Sequence, residues 1–444
     1  MPKKSKTKQS LIHENPVELL QNLIRFNTTN PPGNEEDCIK FLNSLLTEAG
    51  FKTKLIAKTP KRPNLITRLS GSGKAPPLLL YGHVDVVPTE NQNWKYPPFE
   101  AKIADGYLWG RGTLDMKGGV AMMVAALLRA KTENLNPPGD IVLTIVSDEE
   151  SGGNYGTKFL VENHPDLFKN IRYAIGEFGG FTFYIGKKKF YPMMVSEKQS
   201  CYIKATISGP SGHGSLPLRG GASAKLAVLL QNLDNYSLPV HIDKAVEMQL
   251  KTLISNLPFP TNLLIHMLTI PAFTNKILKI MGKNRDTFDP LLHNTVNVVN
   301  VHGGEQIWGI PGSIEVGLAA TLLPGYGSQD ILDELKNIIG NEVELEVLDF
   351  VPVPSEPDMG LFDILKDILH EADPEGIPLP ILLASPTDAR HFLRLGIQTY
   401  GFLPMQLPRE LDINRLFHSA NERIPLETVK FGTDNIYKLL QRFI

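Results

Sequence analysis

The spacing of hydrophobic positions changes along the chain, and the changes divide it into elements. From Pro16 to Ala49 apolar residues recur at helical spacing (Val17, Leu20, Leu23 and Ile24, then Ile39, Leu42, Leu45 and Leu46) around the loop NTTNPPGN, which predicts two helices. Four short apolar runs bounded by turn residues follow: NLITRLS, PLLLYGHVDVV, DIVLTIVSDEE and YAIGEF. They read as buried strands. Between the second and third lies MKGGVAMMVAALLRAK, a helix of small and aliphatic residues. Strands alternating with helices predict an α/β domain with a largely parallel sheet.

Near residue 196 the texture changes. QSCYIKATISG alternates like a half-buried strand and ASAKLAVLLQNL continues as a helix. TVNVVNVHGG and SIEVGLAATLLPG read as strands, QDILDELKNIIG as a helix and VELEVLDF as a last strand. The order β-α-β-β-α-β is the ferredoxin-like pattern. Residues 239–291, apolar and punctuated by proline, read as a helical insert within it. Their charges form no clear basic face, which argues against a membrane-surface role and for packing. After Pro352 the pattern is α/β again, with LFDILKDILHEA, PILLASPTDARHF, IQTYGF and a final helix around ETVKFGTDNIYKLLQRF. The expected organisation is one discontinuous α/β domain, residues 1–195 and 352–444, interrupted by a smaller α+β domain at 196–351. Two domains also suit a chain of 444 residues.

Composition narrows the function classes. With 42% hydrophobic and 21% charged residues the chain is globular, and a net charge of -2 gives no basic excess for nucleic acid. Lysines in the first eight residues and at Lys187, Lys188 and Lys189 read as solvated surface. Cys38 and Cys201 lie far apart, which excludes a disulfide scaffold and a cysteine-built zinc site and suits a reducing compartment. No apolar segment of signal-peptide type follows the basic amino terminus, and no apolar run is long enough to span a bilayer. A cytoplasmic location without membrane attachment is expected.

The chemistry gathers at strand ends. In GHVDVVP, at 82–88, His83 and Asp85 are two apart at a strand end and are expected to project to the same side. A carboxylate near a ligand histidine orients its second nitrogen, and Asp85 is placed for that or for steadying a catalytic base. In GRGTLDMKGG, at 110–119, Asp115 occupies a glycine-rich turn before a helix. Taken alone it reads as a helix N-cap. In SDEESGG, at 147–153, three consecutive acids follow an apolar strand, where a solvated acidic turn is the ordinary reading. Glu177 follows YAIG in the same way, and His418 lies in LFHSANERIP. Taken together, these ends supply two histidines and several carboxylates, both ligand types that zinc accepts. Two ions about 3.5–4 Å apart need a bridging group, and a carboxylate can hold one with each oxygen.

The motifs GHVDVVP, GRGTLDMKGG, SDEESGG, GEFGG, GPSGHGS and FHSANERIP stand in the order found in the aminoacylase-1 family of di-zinc hydrolases, and the chain resembles that family over nearly its whole length. The family includes acetylornithine deacetylase, succinyl-diaminopimelate desuccinylase and carboxypeptidase G. The resemblance implies a zinc-peptidase-like catalytic domain with an inserted lid and dimerisation domain. By position it implies two zinc ions per chain, with Co2+ or Mn2+ as substitutes. His83 and Glu177 would hold one, Glu150 and His418 the other, and Asp115 would bridge them. Glu149 would be the general base toward a metal-bridged water, with Asp85 behind it or behind His83. His213, in GPSGHGS, would stabilise the oxyanion in a partner subunit's site, which implies a homodimer.

Two positions depart from the family. Trp308 stands where many members have asparagine, and Thr321 where many have an arginine that pairs with a substrate carboxylate. A dicarboxylate substrate is therefore disfavoured. Arg390, in SPTDARHF, is a candidate replacement, although a salt bridge to Asp388 would explain it equally well. The expected activity is cleavage of an amide or peptide bond in an N-acyl amino acid or small peptide. A bidirectional N-acyl amino acid synthase/hydrolase would use the same residues. A non-catalytic binding relative would be expected to have lost ligands or Glu149, and all are present.

Overall fold

The computed structural model describes residues 12, 14–282, 285–304 and 307–444, so the basic amino-terminal run lies outside the described residues. The chain forms two compact units. One holds the described residues up to Val195 with Asp358–Pro380 and Thr387–Ile444; the other holds Ser196–Pro357 with Ile381–Pro386.

The first unit is built on a six-stranded sheet in the order Thr53–Ala57, Pro63–Leu69, Ile141–Val146, Leu78–His83, Tyr173–Gly176, Gln398–Gly401. The first two pairings are antiparallel and the remaining three parallel. The sheet is thus mixed, because the first strand folds back on the second through a short connection. Ile141–Val146 and Leu78–His83 are buried at every position, as strands covered on both faces must be, which is why they read as unbroken apolar runs. Helix Lys117–Thr132 is buried around most of its circumference, and its small residues let it lie close to the sheet. A methyl at Gly82 would stand 2.7 Å from the Met116 side chain and 3.0 Å from Val120. The four strands joined by these parallel pairings run the same way, so their carboxyl ends share one edge.

The second unit has a four-stranded antiparallel sheet in the order Thr295–His302, Ser313–Leu322, Gln199–Ser208, Val343–Phe350. In chain order this is second, third, first, fourth, the ferredoxin-like arrangement, with helices Ala222–Asn235 and Ser328–Ile339. Cys201, Ile203, Ala205 and Ile207 alternate along the first strand and pack in one core with Leu229 and Leu335. Four helices (Lys244–Asn256, Thr261–Leu268, Pro271–Ile280 and Arg285–Leu292) stand between the first helix and the second strand. Among the described residues no helix is long and apolar enough to cross a membrane.

Candidate metal centre

His83 is the last residue of its strand, Glu149 and Glu150 open a short 3-10 turn after Ile141–Val146, and Glu177 follows Tyr173–Gly176. Parallel neighbours therefore deliver these side chains to one edge of the sheet. The strand does not continue to Asp85, so the alternation argument for that residue fails, yet Asp85 is brought there by the turn. Asp115 is not the cap of helix Lys117–Thr132. That position is Met116, with no capping side-chain bond, and the Asp115 carboxylate is free for other partners.

The geometry centres on Asp115. Its Oδ1 lies 3.2 Å from His83 Nε2 and its Oδ2 3.2 Å from His418 Nε2, so each oxygen faces a different imidazole. On one side His83 Nε2 is 3.6 Å from Glu177 Oε2; on the other His418 Nε2 is 3.3 Å from Glu150 Oε2. His83, Asp115 and Glu150 bring one donor atom each within 4.8 Å of one another, as do His83, Glu149 and Glu177. The Oε1 of Glu150 is buried without a hydrogen-bond partner. All of these residues belong to the first unit.

Electrostatics show a pocket short of positive charge. Burial lifts the Glu149 carboxyl well above its ordinary value, and the neighbouring Glu177 lifts it further. Burial likewise raises Glu177 to about 7, although the hydrogen bond from His83 opposes it. Burial disfavours charge on Asp115 too, but hydrogen bonds from His418 and His83 outweigh it and hold this carboxyl below the usual range. Hydrogen bonds to Asp115 and Glu150 carry His418 up to about 10. A site that draws protons onto carboxylates and imidazoles alike has the donor set for divalent cations. The residues fit divalent-cation binding, in two overlapping groups of donors that share His83.

Around the ligand candidates stands a set of supporting residues, most of them given no role by the sequence. Glu422, fully buried, pairs with Arg111 at 2.7 Å and accepts the backbone N–H groups of Gly112, Leu114 and Asp115. It thereby ties the loop that carries His418 to the turn that carries Asp115. Asp85 accepts the backbone N–H groups of Glu149 and Glu150 at 3.1 Å each, while its carbonyl oxygen is 3.0 Å from His83 Nδ1. Its Oδ1 lies 3.5 Å from the same His83 nitrogen, so Asp85 touches both the His83 ring and the turn of Glu149. Asn30 bridges the carboxylates of Asp85 and Asp148, and Arg62 joins Asp148 to the buried Glu35. Asp388 is buried with Oδ1 unpartnered, and its Oδ2 accepts the Thr157 hydroxyl at 2.7 Å. Burial raises this carboxyl to about 6.

Arg390 donates from Nε to His391 Nε2 at 3.3 Å, and its Nη2 lies beside Gly152, in the turn that carries Glu149 and Glu150. His213 belongs to the second unit. It is exposed, pairs in a short ladder with Gly309 and stands 2.8 Å through Nδ1 from the Ser215 hydroxyl. The Trp308 side chain is 69% exposed, so it replaces the family's asparagine without entering a core, and its carbonyl accepts from Gly214. Thr321 is paired through its hydroxyl with Thr295 at 2.6 Å.

Parallel strand ends that bring His83, Glu149, Glu150 and Glu177 together, with Asp115 and His418 added from loops, present the donor set of a metal-dependent hydrolase of the metallopeptidase class. Peptidase family M20/M25/M40 matches residues 79–442. The chain is 27% identical over 376 residues to the N-fatty-acyl-amino acid synthase/hydrolase PM20D1 of Bos taurus, covering 82% of this chain and 74% of that protein. It is 28% identical over 386 residues to a probable succinyl-diaminopimelate desuccinylase of Staphylococcus aureus (strain MRSA252), covering 85% and 86%. In fold it is similar to the M20 family metallo-carboxypeptidase Sso-CP2 of Sulfolobus solfataricus, with a TM-score of 0.66 at 18% identity, over 96% of this chain and 98% of that one. The chain belongs to peptidase family M20/M25/M40. It is an enzyme that hydrolyses amide bonds.

Proposed function

We propose that the chain is a two-zinc hydrolase of N-acyl amino acids or small peptides, with Glu149 as general base. His83 and Glu177 would hold one ion and Glu150 and His418 the other, with Asp115 shared. The observation that carries this reading is the division of the Asp115 carboxylate, one oxygen toward each imidazole. When bound, the ions would polarise the scissile carbonyl and make the attacking water more acidic. Glu149 takes the proton from that water and hands it to the departing amine. Its burial and its acidic neighbours raise its affinity for a proton, which suits a group that accepts one from water and then releases it. Asp85 is a positioning residue, fixing the Glu149 backbone and the His83 ring. Arg390, beside the Glu149 turn, would take a substrate carboxylate where Thr321 cannot.

The same reading includes a homodimer in which His213 completes the partner's site, and a cytoplasmic location. Thr295–His302 is an edge strand with Val299 and Val301 exposed, a surface suited to pairing with a second copy. Synthesis as well as hydrolysis of N-acyl amino acids is a second reading, favoured by the similarity to PM20D1. Condensation of a free fatty acid with an amino acid, measured beside hydrolysis, separates the two.

Glu149→Ala is expected to abolish amide hydrolysis while metal content, measured by atomic emission, stays near the wild-type level. Turnover at the wild-type rate in this variant would remove the proposed base.

A further inference from the structure

Helices Thr261–Leu268 and Pro271–Ile280 of the second unit each bury one face, the first through Ile265 and Leu268 and the second through Thr274, Ile277 and Leu278. What they leave outside is also apolar. Phe259 is 77% exposed, Ile280 70%, Leu263 47%, Phe273 41% and Ile270 38%. A run of large exposed hydrophobic residues within one short segment marks an interaction surface, since isolated ones scatter. Phe273, Lys276 and Ile280 fall on one stripe of their helix, at i, i+3 and i+7, and Lys276 and Lys279 are exposed. From Met248 to Arg285 the sequence contains no Asp or Glu; Lys251 pairs with Glu247 and Arg285 with Asp289 at the flanks, and Lys276 and Lys279 lie exposed between them. The sequence alone shows no clear basic face here and argues for packing instead of a membrane surface. The fold sets Lys276 and Lys279 on and beside the exposed apolar stripe.

We infer that this helical pair docks on an anionic lipid surface. Phe259, Leu263, Phe273 and Ile280 would enter the boundary between headgroups and acyl chains, and Lys276 and Lys279 would meet the headgroup charges. A helix with apolar residues on its outer face and cations at their margin lies in an interface of this kind. The absence of acids removes the repulsion that an anionic bilayer would otherwise meet. The inference does not depend on the metal centre.

The test is co-sedimentation of the full-length protein with phosphatidylcholine vesicles, with and without phosphatidylglycerol. The protein is expected to sediment with the anionic vesicles and to be released by salt. The double substitution Lys276→Glu, Lys279→Glu is expected to weaken this binding by roughly tenfold or more. Phe259→Ser with Phe273→Ser is expected to abolish it. Both variants should keep the wild-type melting temperature and hydrolyse a soluble substrate normally, since every changed side chain is exposed. Failure to sediment with anionic vesicles would overturn the inference, as would equal binding by the charge-reversed variant. So would sedimentation equilibrium showing that Phe259→Ser with Phe273→Ser splits a dimer, because the surface would then be covered by a second copy.

Discussion

Asp115 and Glu422 form the centre of the site at the scale of single residues. The Asp115 carboxylate faces two imidazoles, and its backbone N–H is held by Glu422, a residue 307 positions away in the chain. Breaking a buried ion pair by removing one partner typically costs about 3–5 kcal/mol, because the other charge is left uncompensated. Glu422→Ala is therefore expected to lower unfolding stability by about that amount, as read from denaturant titration. Metal affinity should fall about 10- to 100-fold, the usual effect of losing a group that orients ligands. Unchanged affinity would mean that Glu422 serves only the fold. Among the ligand candidates, His83, Glu150 and Glu177 stand out in the sequence because each follows an apolar run, and Asp115 because it sits in a glycine-rich turn, whereas His418 is pointed to only by the motif resemblance. Glu422, Asn30 and Arg62 do not stand out, because their partners are distant in sequence and a lone acid, amide or guanidinium carries no periodic signal. Asp115 was legible only jointly: its own segment pointed to a helix cap.

At the scale of elements, the site depends on turns packed too closely for side chains. A methyl on Gly118, at the start of helix Lys117–Thr132, would stand 2.1 Å from the carbonyl oxygen of Thr113, which is backbone and cannot rotate away. Gly118→Ala is expected to cost about 1–3 kcal/mol, the usual range for overpacking, and to shift the Asp115 turn. Lower melting temperature together with reduced metal content would show both effects. Thr53–Ala57, largely exposed, carries no apolar run and has no counterpart in the sequence reading, whereas the other five strands of the first sheet were readable as apolar runs and the alternation in Gln199–Ser208 was readable from burial on one face. The antiparallel entry of the first two strands was not. Strand direction is set by how the connections run, and apolar pattern is the same in either direction. The helices at 244–292 were readable as helices, but which of their faces stays outside was settled only by packing.

At the scale of the whole molecule, metal binding and protonation are coupled through the same side chains. Glu177 is raised from 4.5 to about 7 and His418 from 6.5 to about 10 in the folded chain. A raised value means that the folded state holds a proton the unfolded state has released. Its stabilising effect is full below the unfolded value and is lost as pH rises through the folded one. For Glu177 that window runs from about 4.5 to 7, and for His418 from about 6.5 to 10. Bound cations replace those protons. The rise in melting temperature on adding zinc to metal-free protein should therefore grow with pH through these windows. A zinc effect of equal size at pH 5 and pH 9 would contradict this.

Assembly gives a second test at this scale. His213→Ala and Glu149→Ala proteins, each with little activity alone, should recover part of it when mixed and allowed to exchange subunits. No recovery after verified exchange would remove the shared site. The most direct measurement, however, is the metal content of purified wild-type protein and of Asp115→Ala. Close to two zinc ions per chain in the wild type, with both sites weakened together by the single substitution, is the result expected of a shared aspartate. A wild type that binds fewer than two ions at saturation, or an Asp115→Ala variant that still holds two as tightly, would contradict it.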